Sequence, residues 1–372
     1  MPKTFSDLIG EARAEIREVT PLEVARLRAD PRTALVDVRE EGEWELGHIP
    51  GAHHVARSYL EQEIEARVPD RSTLVVLYCS GGVRSLFAAQ ALRAIGYEDV
   101  ASMSGGTQQW TSLGLPWTRP ILLTDEQRRR YSRHLLIPEV GPEGQARLLG
   151  SKALLVGAGG LGSPAALFLA SAGVGTITLC DADVVDLTNL QRQIAHDTST
   201  IGLPKVESAQ RRIAAINPGV AVRAVALRVG PDELAELVAG ASVVLDCSDN
   251  FATRHAINRA CVRARKPLVS GAALRFDGQL AVFDTRRDDS PCYHCVFGEA
   301  EEIEETRCAV MGVFAPLVGV IGSMQAAEAL KLLAPCGESA VGKLFLYDAL
   351  GAEWRTVRIK RDPQCTVCGA QG

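Results

Sequence analysis

Short apolar runs without polar alternation recur along this chain: Ala34 to Val38, Thr73 to Tyr78, Ala153 to Val156, Thr176 to Cys180 and Val243 to Asp246. Such runs predict strands covered on both faces, as in a parallel sheet. Between them the pattern turns helical. Thr20, Pro21 and Glu23 predict a capped helix to Ala29. A second helix is expected from Arg84 to about Ile95, stopping at Gly96, and a long amphipathic one starts at Lys205 and ends at Asn217-Pro218-Gly219. Thr124 is a further N-cap, with Gln127 at the reciprocal position. Strands alternating with helices predict an α/β protein.

The run from Ala153 to Asp181 contains no charge before Asp181. Gly157, Gly159, Gly160, Gly162 and Pro164 cut it into pieces too short to cross a bilayer. It divides into a strand, a Gly-rich turn, a helix from Pro164 to Ser171 and a second strand. The turn reads Gly157-x-Gly159-x-x-Gly162, which lets backbone N–H groups approach a phosphate at a helix N-terminus. Asp181 ends the next strand, where a carboxylate accepts ribose hydroxyls. A nucleotide site follows, though the turn alone does not say which nucleotide.

Composition adds limits. With 372 residues, two or three domains are expected. A net charge of −5 supplies no basic field for nucleic acid. The N-terminal segment lacks an apolar signal core, so a cytoplasmic protein is expected. The apolar stretch Ala309 to Met324 contains Gly312, Pro316, Gly319 and Gly322 and reads as a loop and a buried helix, not a membrane span. Glu299 to Glu305 reads as a solvated acidic loop.

In the first third, Cys79-Ser80-Gly81-Gly82-Val83-Arg84 follows a buried strand. A thiol there lies in a nest of inward-pointing N–H groups near a helix N-terminus and Arg84, a setting that favours an anion and the reactive thiolate. Together with Asp37-Val38-Arg39 and the loop Gly47-His48-Ile49-Pro50-Gly51-Ala52, this segment resembles a single rhodanese domain over residues 15–119. The resemblance implies that Cys79 carries sulfane sulfur as a persulfide. Related phosphatases have a loop one residue longer, so the spacing from Cys79 to Arg84 favours sulfur over phosphate. Ser80 departs from the basic residue that many members carry. His48, His53 and His54 read as loop-structure residues.

Residues 120–124 read as a linker, and 125–372 as the second domain. Asp249 and Asn250 follow the Val243–Asp246 run, at the strand end where open α/β sheets bind ligands. Arg192 and Lys205 are near in sequence to Asp181. NAD pyrophosphate can be held by backbone N–H groups alone. Two cations and a spare carboxylate for Mg2+ favour ATP. The basic helix Arg128 to His134 reads by default as a solvated face. The stretches RYSRH, VGAGGLGS, NLQRQ, GLPKVESA, LDCSDN and PLVSGAA closely resemble MoeB/ThiF-type enzymes, relatives of ubiquitin-activating enzymes. That resemblance implies a Rossmann-like doubly wound fold in which Gly160, Asp181, Asn189, Arg192, Lys205, Asp249 and Asn250 hold ATP and Mg2+. It also implies that Arg133 reaches the active site of a partner subunit in a homodimer. The implied substrate is a ubiquitin-like sulfur carrier with a C-terminal Gly-Gly.

Cys292-x-x-Cys295 and Cys365-x-x-Cys368 are two hooks able to close a tetrahedral sulfur shell, which reads as structural zinc. Cys308 aligns with a cysteine that in some relatives links covalently to the carrier or resolves a disulfide. Cys180, Cys247, Cys261 and Cys336 read as packing residues. The expected function is adenylylation of a carrier carboxylate, followed by sulfur transfer from Cys79. A molybdopterin-synthase small subunit is the first choice of carrier. Thiamine, cysteine or tRNA-thiolation carriers remain open, as does a first domain that only binds or delivers sulfur. The donor is expected to be thiosulfate or a cysteine desulfurase. A hydride-transfer enzyme is the competing class, but no hydride site is visible.

Overall fold

In the computed structural model, which describes residues 2–118, 123–298 and 311–369, the chain forms two units, Met1–Leu122 and Leu123–Gly372. The first is built on five parallel strands: β1 (Arg17–Val19), β2 (Thr33–Asp37), β3 (His53–His54), β4 (Leu74–Tyr78) and β5 (Val100–Met103), in the order β1-β5-β4-β2-β3. The pleat explains the lack of alternation. Val75, Leu77 and Cys79 pack on one face with the helices Phe5–Glu15, Leu60–Arg67 and Val83–Ala94, while Val76 and Tyr78 pack on the other with Pro21–Leu27 and Gly106–Ser112. Thr20 and Glu23 form the expected capping box.

The second unit holds β6 (Lys152–Val156), β7 (Thr176–Cys180), β8 (Ala221–Val225), β9 (Val243–Asp246), β10 (Leu268–Leu274), β11 (Asp277–Phe283), β12 (Lys343–Asp348) and β13 (Glu353–Arg358). Their order is β13-β12-β11-β10-β9-β6-β7-β8. The pairs from β10 to β8 are parallel, and β10 to β13 continue as an antiparallel meander. From β6 the chain steps to β7 on one side and later to β9 on the other, so the sheet reverses direction of winding at the β6/β9 crevice. Ala153 and Leu155 of β6 enter one core, and Leu154 and Val156 the other.

The helix after the Gly-rich turn spans Gly162–Ser171, two residues longer at its start than the sequence pattern predicts. Pro164 still falls in the first turn, where its missing N–H costs no bond. Within the late apolar segment the helix Ala315–Leu333 begins, packed against the Gly162–Ser171 helix and β9 to β11, while Val313 just before it bridges to Arg275. Among the described residues no helix is long and apolar enough to cross a membrane.

Candidate functional site

Cys79 leaves the C-terminal end of β4 and is almost fully buried. The Gly82 N–H points at its Sγ from 3.2 Å, and the Ser85 hydroxyl lies 3.6 Å away. Gly82 then starts the helix Val83–Ala94 in a left-handed conformation. One backbone N–H thus points at the sulfur, with a hydroxyl beside it that also reaches the Gly82 carbonyl at 3.0 Å. Arg84, however, faces an anion supplied by the chain itself. Its Nη1 and Nη2 lie 2.6 and 2.7 Å from the two carboxylate oxygens of Glu43, and Nη2 donates to Ser80 Oγ at 2.9 Å. Ser80 in turn donates to Glu43 Oε1 at 2.6 Å. The Arg84 guanidinium holds the Glu43 carboxyl down at about 2. Glu43 sits on the short helix Glu41–Glu45, whose Trp44 ring stacks on His48 and His54 at 3.5 and 4.9 Å between centroids. A nitrogen of the His54 ring reaches the Arg39 carbonyl at 2.9 Å. His48 and His54 therefore act as the seat of the turn that presents Glu43.

In the second unit a cavity of about 700 Å3 opens at the β6/β9 crevice. Gly157, Gly159 and Gly160 line it, with Asp181 at the end of β7 and Asp249 and Asn250 after β9. From there it runs over the antiparallel strands to Asp277, Asp348 and Arg355. Both Asp181 oxygens accept backbone N–H groups, from Ala158 at 2.7 Å and Asp183 at 2.9 Å, so this carboxylate ties the Gly turn to β7 and keeps one lone pair per oxygen for a ligand. Asn250 caps the helix Phe251–Ala264 by accepting from the Thr253 N–H, which leaves its amide N–H2 as the group available to a ligand.

Arg192 lines the cavity and donates to the Thr188 carbonyl at 3.1 Å. Lys205 also lines it, nearly buried, with Nζ on Asp183 Oδ2 at 2.7 Å. Three residues singled out in the sequence do not line it. Gly162 is buried beneath the turn. Asn189 accepts from the Asp186 N–H in its own 3-10 turn. Arg133 is exposed on the helix Ser132–Leu135.

Sequence reasoning missed the groups that shape the far side. Asp246 is buried, and its Oδ1 accepts from the Ser248 N–H and hydroxyl while Oδ2 accepts from Ser270. Arg254, also buried, lies 3.7 Å from Asp246 and donates to the Ser248 carbonyl at 2.6 Å. A basic residue one turn into a helix that has no acid in its first turn was the available signal, because the helix dipole disfavours it there. His196 was missed too. It is buried, with Nε2 3.0 Å from the Ala158 carbonyl of the Gly turn and Nδ1 2.9 Å from Ser208 Oγ. Since a carbonyl only accepts, Nε2 carries the proton and the Ser208 hydroxyl donates to Nδ1.

Cys292, Cys295, Cys365 and Cys368 converge, with all four sulfurs within 4.8 Å of one another. Neighbouring sulfurs stand 3.4 to 3.8 Å apart. A tetrahedral shell with Zn–S bonds of about 2.3 Å needs edges of about 3.8 Å, so the residues fit zinc. Burial pushes the Cys180 thiol up to about 12, and raises Cys247 and Cys261 as well. Cys180 and Cys247 border the cavity while packing in the core. Cys308 and the acidic run Glu299 to Glu305 lie outside the described residues.

The ThiF family model matches residues 131–367, and the Rhodanese-like domain model matches residues 20–113. The molybdopterin-synthase adenylyltransferase of Salmonella typhimurium is 46% identical over 250 residues, 66% of this chain and 98% of that protein. The SAMP-activating enzyme E1 of Haloferax volcanii is 47% identical over 253 residues, 68% of this chain and 93% of its own length. The adenylyltransferase and sulfurtransferase MOCS3 of Mus musculus is 45% identical over 251 residues, 67% of this chain and 54% of that one. Among solved structures, Escherichia coli MccB with ATP superposes with a TM-score of 0.57 at 25% identity, covering 64% of this chain and 74% of the other.

Proposed function

This chain belongs to the ThiF family and carries a rhodanese-like domain ahead of it, and from that premise we propose that it activates the C-terminal carboxylate of a ubiquitin-like sulfur carrier and then converts it to a thiocarboxylate. The carrier carboxylate attacks the α-phosphorus of ATP, which gives an acyl-adenylate and releases pyrophosphate. The carboxylate is already an anion, so no general base is required. The Gly157–Gly160 turn supplies N–H groups to the phosphates, and Lys205 and Arg192 supply side-chain cations for developing charge. Asp249, an exposed oxygen donor at the rim, suits Mg2+, which when bound would neutralise phosphate charge. The extension of the cavity over β11 to β13 supports a path for an extended carrier tail.

In the second half-reaction a persulfide on Cys79 attacks the activated carbonyl. A carbon–sulfur bond forms, the acyl–phosphate bond breaks, and AMP leaves. Two electrons from thiols then cleave the resulting acyl disulfide, which returns the Cys79 thiolate and frees the thiocarboxylate. Cys308 is the candidate for that reduction. A molybdopterin-synthase small subunit is the proposed carrier, in line with the name of the Salmonella relative. The four-cysteine cluster holds zinc as a structural clamp on the tail. Arg133 serves the cavity of a second copy, and the exposed Leu136 and Ile137 beside it support a covered face. The reducing thiol chemistry suits a cytoplasmic setting.

The observation that carries the reading is that Arg192, Lys205 and Asp249 border one cavity with the Gly turn at the crevice of an α/β sheet. Intact mass of Gly-Gly-ended carriers, incubated with the chain, Mg-ATP and a persulfide donor, tests it. A gain equal to the mass difference between sulfur and oxygen supports the reading, and its absence on every candidate carrier sinks it. Cys79→Ala should stop the gain and leave carrier-stimulated ATP–pyrophosphate exchange intact.

A further inference from the structure

The cradle beside Cys79 already contains an anion. Glu43 engages Arg84 through both oxygens and takes the Ser80 hydroxyl as well, so the cation and the hydroxyl nearest the loop mouth are occupied. Its own turn anchors it further, since Oε2 accepts the Glu40 N–H at 3.2 Å and the neighbouring Trp44 is stacked on two imidazoles. Glu40 and Glu41 on the same turn add like charge. An incoming dianion must therefore displace a chelated carboxylate and approach an acidic turn.

We propose that Glu43 sets sulfur-donor specificity as a built-in counter-anion: it keeps free thiosulfate weakly bound and leaves Cys79 to be loaded by a persulfide. The proposal rests on reading Cys79 as the sulfur-carrying thiol. With thiosulfate, the Cys79 thiolate bonds to the outer sulfur, the sulfur–sulfur bond breaks, and its electron pair departs with sulfite. The three sulfonate oxygens of that donor need cationic or N–H partners throughout, and Arg84 is committed elsewhere. With a persulfide R–S–SH, the same thiolate takes the terminal sulfur as Cys79–S–SH, and the pair departs on R–S−. That donor carries no sulfonate on the sulfur next to the one transferred and asks nothing of Arg84 there.

The test is steady-state thiocyanate formation by the full chain, with cyanide as acceptor and either thiosulfate or cysteine persulfide as donor. Glu43→Gln removes the charge and keeps the shape. It should lower the KM for thiosulfate about fivefold, the size expected for freeing one partly exposed cation, with the persulfide KM shifted less than about twofold. Glu43→Asp keeps the charge and should retain the high thiosulfate KM. An unchanged or raised thiosulfate KM in Glu43→Gln, or equal behaviour of the Gln and Asp variants, overturns the role of Glu43 while leaving Cys79 in place. No thiocyanate from either donor in the unmutated chain overturns the reading of Cys79 itself. Thiocyanate formation from the persulfide donor in each variant reports that the first unit, which holds Glu43 and Cys79, is folded.

Discussion

Gly162 sits directly under the Gly157 carbonyl: a Cβ at residue 162 would stand 2.0 Å from that oxygen and 3.6 Å from the Cys247 side chain. The clash is with backbone, so no rotamer change relieves it. Gly162→Ala should push the Gly turn off the helix, destabilise the second unit by about 1–3 kcal/mol, and cut ATP–pyrophosphate exchange more than tenfold. Gly159 is the control. A Cβ there meets only the Gln193 side chain, at 3.5 Å, so Gly159→Ala should keep stability within about 0.5 kcal/mol. Urea unfolding of both variants separates the two glycines.

His196 links the same turn to pH. Burial depresses its pKa below 6.5, although its bond to the Ala158 carbonyl opposes the shift. In the window below 6.5 the unfolded chain binds a proton that the folded chain refuses, so stability rises with pH there and levels off above it. The urea midpoint of the second unit should therefore fall as pH drops from about 7 to about 5. His196→Gln should flatten that part of the slope. A slope unchanged by the substitution would assign the pH dependence to other groups.

Much of this was legible in the sequence because local physics decided it. The capping boxes at Thr20 and Thr124 formed as the residue types dictate. The unbroken apolar runs became strands buried on both faces, since no polar residue could face solvent along them. What stayed hidden depended on contacts distant in sequence. Glu43 meets Arg84 across 41 residues, and Ser270 meets Asp246 across 24. Neither pairing has a spacing that periodicity detects. The cysteine hooks are the exception, joining across 73 residues and still readable because each hook fixes half of a metal shell.

That shell yields a third prediction. The chain as purified should carry about one zinc per chain, held by four thiolates. Cys365→Ser removes the sulfur 3.7 Å from Cys292. The variant should lose zinc to a mild chelator that leaves the unmutated chain loaded, and its second unit should unfold at lower urea because metal binding and folding are coupled here. Metal content by elemental analysis, with the unfolding curve beside it, checks both. A variant that keeps its metal would mean a site other than this cluster.

Asp246 and Asp249 lie three residues apart and should respond in opposite ways to the same change. Asp246 is 1% exposed and accepts from Ser248 and Ser270, with the buried Arg254 guanidinium 3.7 Å away. An amide there removes the counter-charge to Arg254 and turns one acceptor into a donor facing donors. Asp246→Asn should cost about 3 kcal/mol in the second unit, the penalty of breaking a buried pair from one side. Asp249 is exposed at the cavity rim, so Asp249→Asn should unfold at the same urea concentration as the unmutated chain. Its effect should appear instead in ATP–pyrophosphate exchange, lowered about a hundredfold at low Mg2+ and partly restored as Mg2+ is raised. If Asp249→Asn exchanges pyrophosphate normally at every Mg2+ concentration, the rim carboxylate is not the metal's anchor.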